Sequence, residues 1–268
     1  MTAGTFASES HVTPVPPAAG VPWTIWCLIA GSVSGMIGGA WDISWHMSIG
    51  RDMFWTPPHI LIQLNAVLSG IACAVLILSA TFNPQSIKGR SSVKIWGFRG
   101  PIGAFVVVWG CMAMLTSAPF DNWWHQAYGL DTKIVSPPHV LLFLGVFAIK
   151  AGILMVIAGL TNRTSANVRR TLVWMSVYVG TLCLLQTTTL ISEMTRPVDL
   201  HSARCYIAIA TLVPLVLVGA AWSLARGWAC TLITTGYTAI ALGLEWILPL
   251  FPAQPKLGPV YQIGRAHV

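Results

Sequence analysis

Charge is what this sequence has least of. Only 9% of its 268 residues are Asp, Glu, Lys or Arg, against 55% hydrophobic, and its mean hydropathy is +0.70. A soluble domain carries roughly 25% charged residues, so this chain cannot cover a water-facing surface, and an ordinary soluble fold is excluded. CxxC pairs are also missing. The six cysteines, Cys27, Cys73, Cys111, Cys183, Cys205 and Cys230, are scattered, mostly in apolar runs, and read as small core residues. No redox-cofactor motif is present. The first twenty residues lack the basic stretch that opens a secretory signal; rich in Pro, Ser and Thr, they read as a disordered cytoplasmic tail. The net charge is +7, but the basic residues form no single patch, which argues against a nucleic-acid partner. At the other end Ile263 to Val268, IGRAHV, back-translates readily to a sequencing-adapter-like sequence and reads as a non-native tail.

What the chain has instead is long apolar runs, at about 21–46, 57–82, 100–119, 137–160, 171–192, 203–225 and 228–251. Each is close to the roughly 20 residues that cross a bilayer core. The expected fold is all-α, a polytopic helical membrane protein with about seven transmembrane helices in one domain, residues 21–262. Lys88, Arg90, Lys94 and Arg99 lie in the loop 83–99; Arg163, Arg169 and Arg170 lie in 161–170; Arg226 separates the last two runs. The positive-inside rule makes these segments cytoplasmic, and the N-terminus with them. In a cytoplasmic (inner) membrane the opposite, periplasmic face then collects the acids Asp42, Asp52, Asp121, Asp131, Glu193, Asp199 and Glu245. His46, His59, His125, His139 and His201 gather there too. Ionisable groups at membrane depth are costly unless paired or functional.

One pattern occurs twice. Trp41 to His59 reads WDISWHMSIGRDMFWTPPH, and Phe120 to His139 reads FDNWWHQAYGLDTKIVSPPH. Both contain D-x3-H-x3-G-x-D followed by a double proline and a histidine. Asp42 and Asp121 are 79 residues apart, while His59 and His139 are 80 apart, so the second loop has one extra residue. The chain therefore contains a parallel internal repeat, about 21–82 and 100–160, with further helices over 171–251.

Asp42 and His46 stand four residues apart and so on one face of a helix. His59 follows two prolines, which the first turn of a helix tolerates. One carboxylate and two imidazoles can thus converge from adjacent helix ends, and Asp121, His125 and His139 repeat the set. Such donors suit copper, iron or zinc better than magnesium or calcium. Asp52 and Asp131 can accept the second ring N–H of a ligating histidine, and Arg51 can orient Asp52. The plain alternative is a hydrogen-bonded helix end flanked by interfacial tryptophans.

The same residues carry a resemblance. D-x3-H-x12-H, with Trp45-His46, Arg51-Asp52 and Thr56-Pro57-x-His59 inside it, resembles the metal-site signature of the C subunit of the copper membrane monooxygenases, the particulate methane and ammonia monooxygenases. It spans roughly residues 40–145. The resemblance implies a copper site at Asp42, His46 and His59 and a second at Asp121, His125 and His139, O2 as co-substrate, electrons from a quinol or another donor, and companion membrane subunits. Asp121 stands where that family usually has asparagine, Met47 where it tends to have glutamine, Phe54 where it has an acid, and Pro58 where it has a small polar residue.

Three functions compete on this basis. One is a copper subunit of a monooxygenase-like complex that oxidises a small apolar or uncharged substrate. Another is a membrane protein that binds or passes copper or zinc without catalysis, and the third is a structural subunit. The scarcity of polar residues in the cytoplasmic half favours a fixed site over transport. Beyond the motifs, Lys150 falls near the middle of an apolar run, where it must snorkel inward or pair with an acid. Glu193 and Glu245, near outer helix ends, are candidates to support the metal ligands or relay protons. Met47 and Met53 are either soft copper ligands or packing residues.

Overall fold

The computed structural model describes residues 20–48, 55–86, 92–129, 135–192, 203–224 and 227–247. Within them lie α1 (Trp23–Ser48), α2 (Pro57–Phe82), β1 (Val93–Ile95), β2 (Phe98–Gly100), α3 (Ile102–Tyr128), α4 (Pro137–Thr161), α5 (Ala166–Ser192), α6 (Ala203–Leu224) and α7 (Ala229–Ile247). The all-α, polytopic fold expected from hydropathy is the fold that forms. Six of these helices are long and apolar enough to cross a membrane; α7, the seventh expected span, has a shorter apolar stretch, Ala229–Leu244. In hydrocarbon every backbone polar group must find a partner within its own segment. Many hydroxyls on the spans do the same, bonding back to a carbonyl four residues earlier, as Thr81 does to Ile77, Thr161 to Ile157 and Thr187 to Cys183.

Two element boundaries differ from the sequence expectation. The third apolar run ends at Ala118–Pro119, yet α3 continues through Pro119 to Tyr128. Asp121, Asn122, His125 and Gln126 end the apolar run without ending the helix, so two polar turns prolong it. The part of the outer loop before Gly129 is therefore helical. Likewise α5 begins at Ala166, so Arg169 and Arg170 belong to its first turns and not to a loop. The basic linker between the repeats holds a small hairpin, β1 paired antiparallel with β2. Its two-residue turn, Trp96-Gly97, has φ of 49° and 90°, the positive values that the tightest hairpin turns require. Thr81 Oγ1, at the end of α2, accepts the Arg99 N–H at 2.8 Å and ties the hairpin to the bundle.

Packing fixes the direction of the first four helices. Along α1, Gly31 faces Asn65 and Ser69, and Gly38 faces Pro58 and Ile62, so α1 and α2 run antiparallel. Asn65 Nδ2 lies 3.8 Å from Met114 Sδ, while Gly100 meets Ile77, so α3 reverses again. In the second repeat the backbones themselves touch. A Cβ on Gly110 would stand 2.6 Å from the Gly145 carbonyl oxygen, and one on Gly103 2.5 Å from that of Gly152. Small residues permit this approach where lipid gives helices no hydrophobic reason to associate. With directions alternating, the C-terminal ends of α1 and α3 and the N-terminal ends of α2 and α4 share one end of the bundle. The hairpin lies at the other end. Of the membrane-length helices α5 is the most enclosed and α6 the least.

Candidate functional site

Each copy of the motif sits at a mouth, where one helix ends and the next begins. In both returning helices the two prolines fill the first two positions, where a missing N–H leaves no helical bond unmade. The histidine is then the third residue of the helix and faces back across the mouth. Asp42 lies six residues before Ser48, the last residue of α1, and Asp121 seven before Tyr128, the last of α3.

The first mouth brings together Asp42 and His59, whose Nε2 lies 3.1 Å from Asp42 Oδ1. His46 follows Asp42 by one turn on α1 and is placed there by backbone alone. In the second mouth one carboxylate meets two rings. Asp121 Oδ2 is 3.5 Å from His125 Nε2, and Asp121 Oδ1 is 3.4 Å from His139 Nε2. The side chains of Asp42, His59, Asp121, His125 and His139 are all partly buried.

His125 shows what such a contact requires. Its Nδ1 lies 3.0 Å from the carbonyl oxygen of Gly129. A carbonyl oxygen only accepts, so Nδ1 carries a proton and donates it. In the neutral ring Nε2 then holds a lone pair, and that lone pair faces a carboxylate oxygen. Two lone pairs repel, so the contact is favourable only where a proton or a cation lies between them. A ring held through Nδ1 by a backbone carbonyl, with Nε2 free to ligate, is the usual arrangement of a metal-binding histidine.

The spacings are also informative. Metal bonds of about 2.0–2.2 Å to nitrogen and oxygen, at a tetrahedral angle, put the two ligand atoms roughly 3.4 Å apart. The two contacts of Asp121 are of that length, longer than an ordinary charge-assisted hydrogen bond of about 2.7–2.9 Å. Among the described residues, however, no three His, Cys, Asp or Glu side chains are already gathered about one ion position. The contacts are pairwise, imidazole to carboxylate. The donor types suit copper, zinc or iron, but the described side chains meet as pairs and not as the three-ligand sets expected from spacing.

Aromatic rings brace both mouths. Trp41 and Trp45 meet edge to face with centroids 6.4 Å apart, and their counterparts Phe120 and Trp124 do so at 6.2 Å. The second mouth adds Trp123 and Tyr128, with Tyr128 4.4 Å from Trp124. The repeated unit is thus longer than the metal-type residues alone: an aromatic residue precedes each aspartate, and a tryptophan precedes each first histidine.

Of the other candidates, Arg51, Asp52, Met53, Asp131 and Glu193 lie outside the described residues, as do residues 1–19 and 263–268. Met47 and Glu245 are placed on α1 and α7 by backbone alone. Lys150 is buried, at 7% exposure, and its partners are neutral. It donates to Gln186 Oε1 and, at 3.3 Å, to the Leu182 carbonyl, while Gln186 Nε2 donates to the Phe143 carbonyl at 3.3 Å. Among the described residues no acid takes part in this cluster. Gln186 was not a candidate from sequence; the signal available was an amide inside a second apolar run.

No known family profile, curated protein or solved structure matches the chain.

Proposed function

We propose that the two mouths are copper sites in an integral membrane subunit of a monooxygenase-like complex. Asp42, His46 and His59 would hold one ion, and Asp121, His125 and His139 the other. The observation that carries this reading is the His125 ring, whose Nδ1 is committed to Gly129 and whose Nε2 faces Asp121. Copper, when bound, supplies O2 activation; the electrons come from a quinol or another donor. The chain's own residues fix the ligand rings and exclude water. The Trp41–Trp45 and Phe120–Trp124 pairs give each mouth an apolar wall facing a small, uncharged substrate that arrives through the lipid. The exposed apolar faces of the spans suit contact with lipid and with companion subunits.

Metal analysis of the purified full chain tests the proposal. Two copper ions per chain are expected at saturation. The first site matches the copper signature more closely, so His46→Ala should lose more copper at limiting metal than His125→Ala. Copper unchanged in both variants would overturn the metal reading. Zinc uptake with no copper would move the assignment to metal handling without oxygen chemistry.

The proposed orientation puts both mouths on the periplasmic side, because Lys94, Arg99, Arg163, Arg169 and Arg170 gather toward the other end. Single cysteines at Ser48 and Thr132 should react with a membrane-impermeant maleimide in intact cells, above the background of the native cysteines. Reaction confined to inverted vesicles would reverse the orientation.

A further inference from the structure

Pairing Asp with His leaves one feature of both mouths unexplained. Thr56 and Ser136 are the N-cap residues of α2 and α4, from which a hydroxyl ordinarily accepts the N–H of the second or third helical residue. Neither side chain makes that bond. The proline at the second position has removed one of the two donors. Even so, Thr56 is 8% exposed and Ser136 5%, and neither hydroxyl oxygen has a hydrogen-bond partner among the described residues. Leaving a buried hydroxyl unsatisfied carries its full desolvation cost with no bond to offset it. The chain does so twice, at equivalent positions 80 residues apart. The N-cap and third residues of a helix face one another across its first turn, so each hydroxyl stands beside the histidine of its own mouth. In the first mouth Trp45 Nε1, one residue before His46, is a further buried donor without a partner among the described residues.

We propose that Thr56 and Ser136 are ligand-binding residues, each donating a hydrogen bond to a small hydrogen-bond-accepting anion held against the neighbouring Asp–His cluster, with Trp45 Nε1 a second donor in the first mouth. Hydroxide and azide are of this chemical class. The adjacent carboxylate would repel such a ligand unless a cation lay between them, so the proposal rests on the metal reading. The prolines then have a second role beyond starting a helix: they release the cap hydroxyl from the backbone and turn it over to the site.

The probe is azide, titrated into the full chain in lipid nanodiscs after loading with copper(II). Binding is followed by the azide-to-copper absorption and by the infrared band of bound azide, which responds to hydrogen bonding. Thr56→Val should keep its copper and weaken azide binding at the first site at least fivefold, with a shifted infrared band, and Thr56→Ser should restore both. Ser136→Ala should do the same at the second site. In the metal-free protein Thr56→Val should unfold no earlier than the wild type, because a methyl replaces an unsatisfied hydroxyl of the same shape. Copper uptake with equal azide affinity in wild type, Thr56→Val and Ser136→Ala overturns this proposal alone. A metal-free Thr56→Val that unfolds well below Thr56→Ser overturns it in favour of a structural role. A wild-type chain that takes up no copper overturns the metal reading and this proposal together.

Discussion

Asp121→Ala is expected to cost the chain one of its two copper ions, the larger effect of any single substitution in the second mouth. Its two oxygens each face a different ring, His125 at 3.5 Å and His139 at 3.4 Å. Removing the carboxylate therefore removes a ligand and also the group that both imidazoles share. Losing an outer partner of a metal ligand typically costs about 10- to 100-fold in affinity, and losing the ligand itself should exceed that. Asp121→Asn should be milder, because the amide oxygen still coordinates while the charge attraction is gone. Copper per chain, measured on purified protein at a fixed low metal concentration, should fall in the order wild type, Asn, Ala. The first site should keep its ion in all three. An Asp121→Ala chain with a full complement of copper would show that no metal rests on this carboxylate.

The largest effect on stability is expected at Gln186. Lys150 stands eleven residues beyond His139 on α4, about 16 Å along the helix axis at 1.5 Å per residue. Its ammonium is held by one side-chain amide and one backbone carbonyl, both on α5. That amide also donates to the Phe143 carbonyl on α4, so one residue joins the two helices twice. Gln186→Leu would leave a buried cation with a single acceptor. Removing one partner of a buried charge costs about 3–5 kcal/mol. Lys150→Met should cost less, because it removes the charge and leaves only a neutral amide oxygen unsatisfied, about 1–3 kcal/mol. The double variant Lys150→Met, Gln186→Leu should recover most of the loss, since both members of the pair become apolar. Thermal unfolding of the four proteins in one detergent orders them. A Gln186→Leu protein as stable as the wild type would mean that the lysine does not depend on this amide.

The periodicity of apolar residues made the helices legible, and the doubled prolines made the starts of α2 and α4 legible as well. The Asp42–His59 and Asp121–His139 contacts could be foreseen, because a four-residue spacing and a short return loop leave few places for those side chains to go. The partner of Lys150 could not be foreseen. It lies 36 residues away on another helix, and a rule that a membrane lysine seeks an acid ignores what one carboxamide and one backbone carbonyl can do in its place. The unpartnered hydroxyls were hidden for a related reason: sequence shows a residue able to cap, and only packing shows that it does not. The close approach at Gly110 and Gly145 was likewise out of reach, since Asn65 holds the position in the first repeat that Gly145 holds in the second.

Because each mouth joins the end of one helix to the start of the next, it also joins two opposite electric fields. The last carbonyls of α1 and α3 make their side of each mouth partly negative, and the first turns of α2 and α4 make the other side partly positive. Each effect is about 0.3–1 kcal/mol at an exposed helix end and up to about 2 kcal/mol where partly buried. A positive ion is therefore drawn toward the Asp42 and Asp121 side, and an anion toward Thr56 and Ser136. Doubling the mouth by repeating a helix pair in the same direction reproduces this polarity with the same sign. Had the second pair been inserted upside down, the two gradients would oppose one another across the membrane, and the bundle would have one such end on each face.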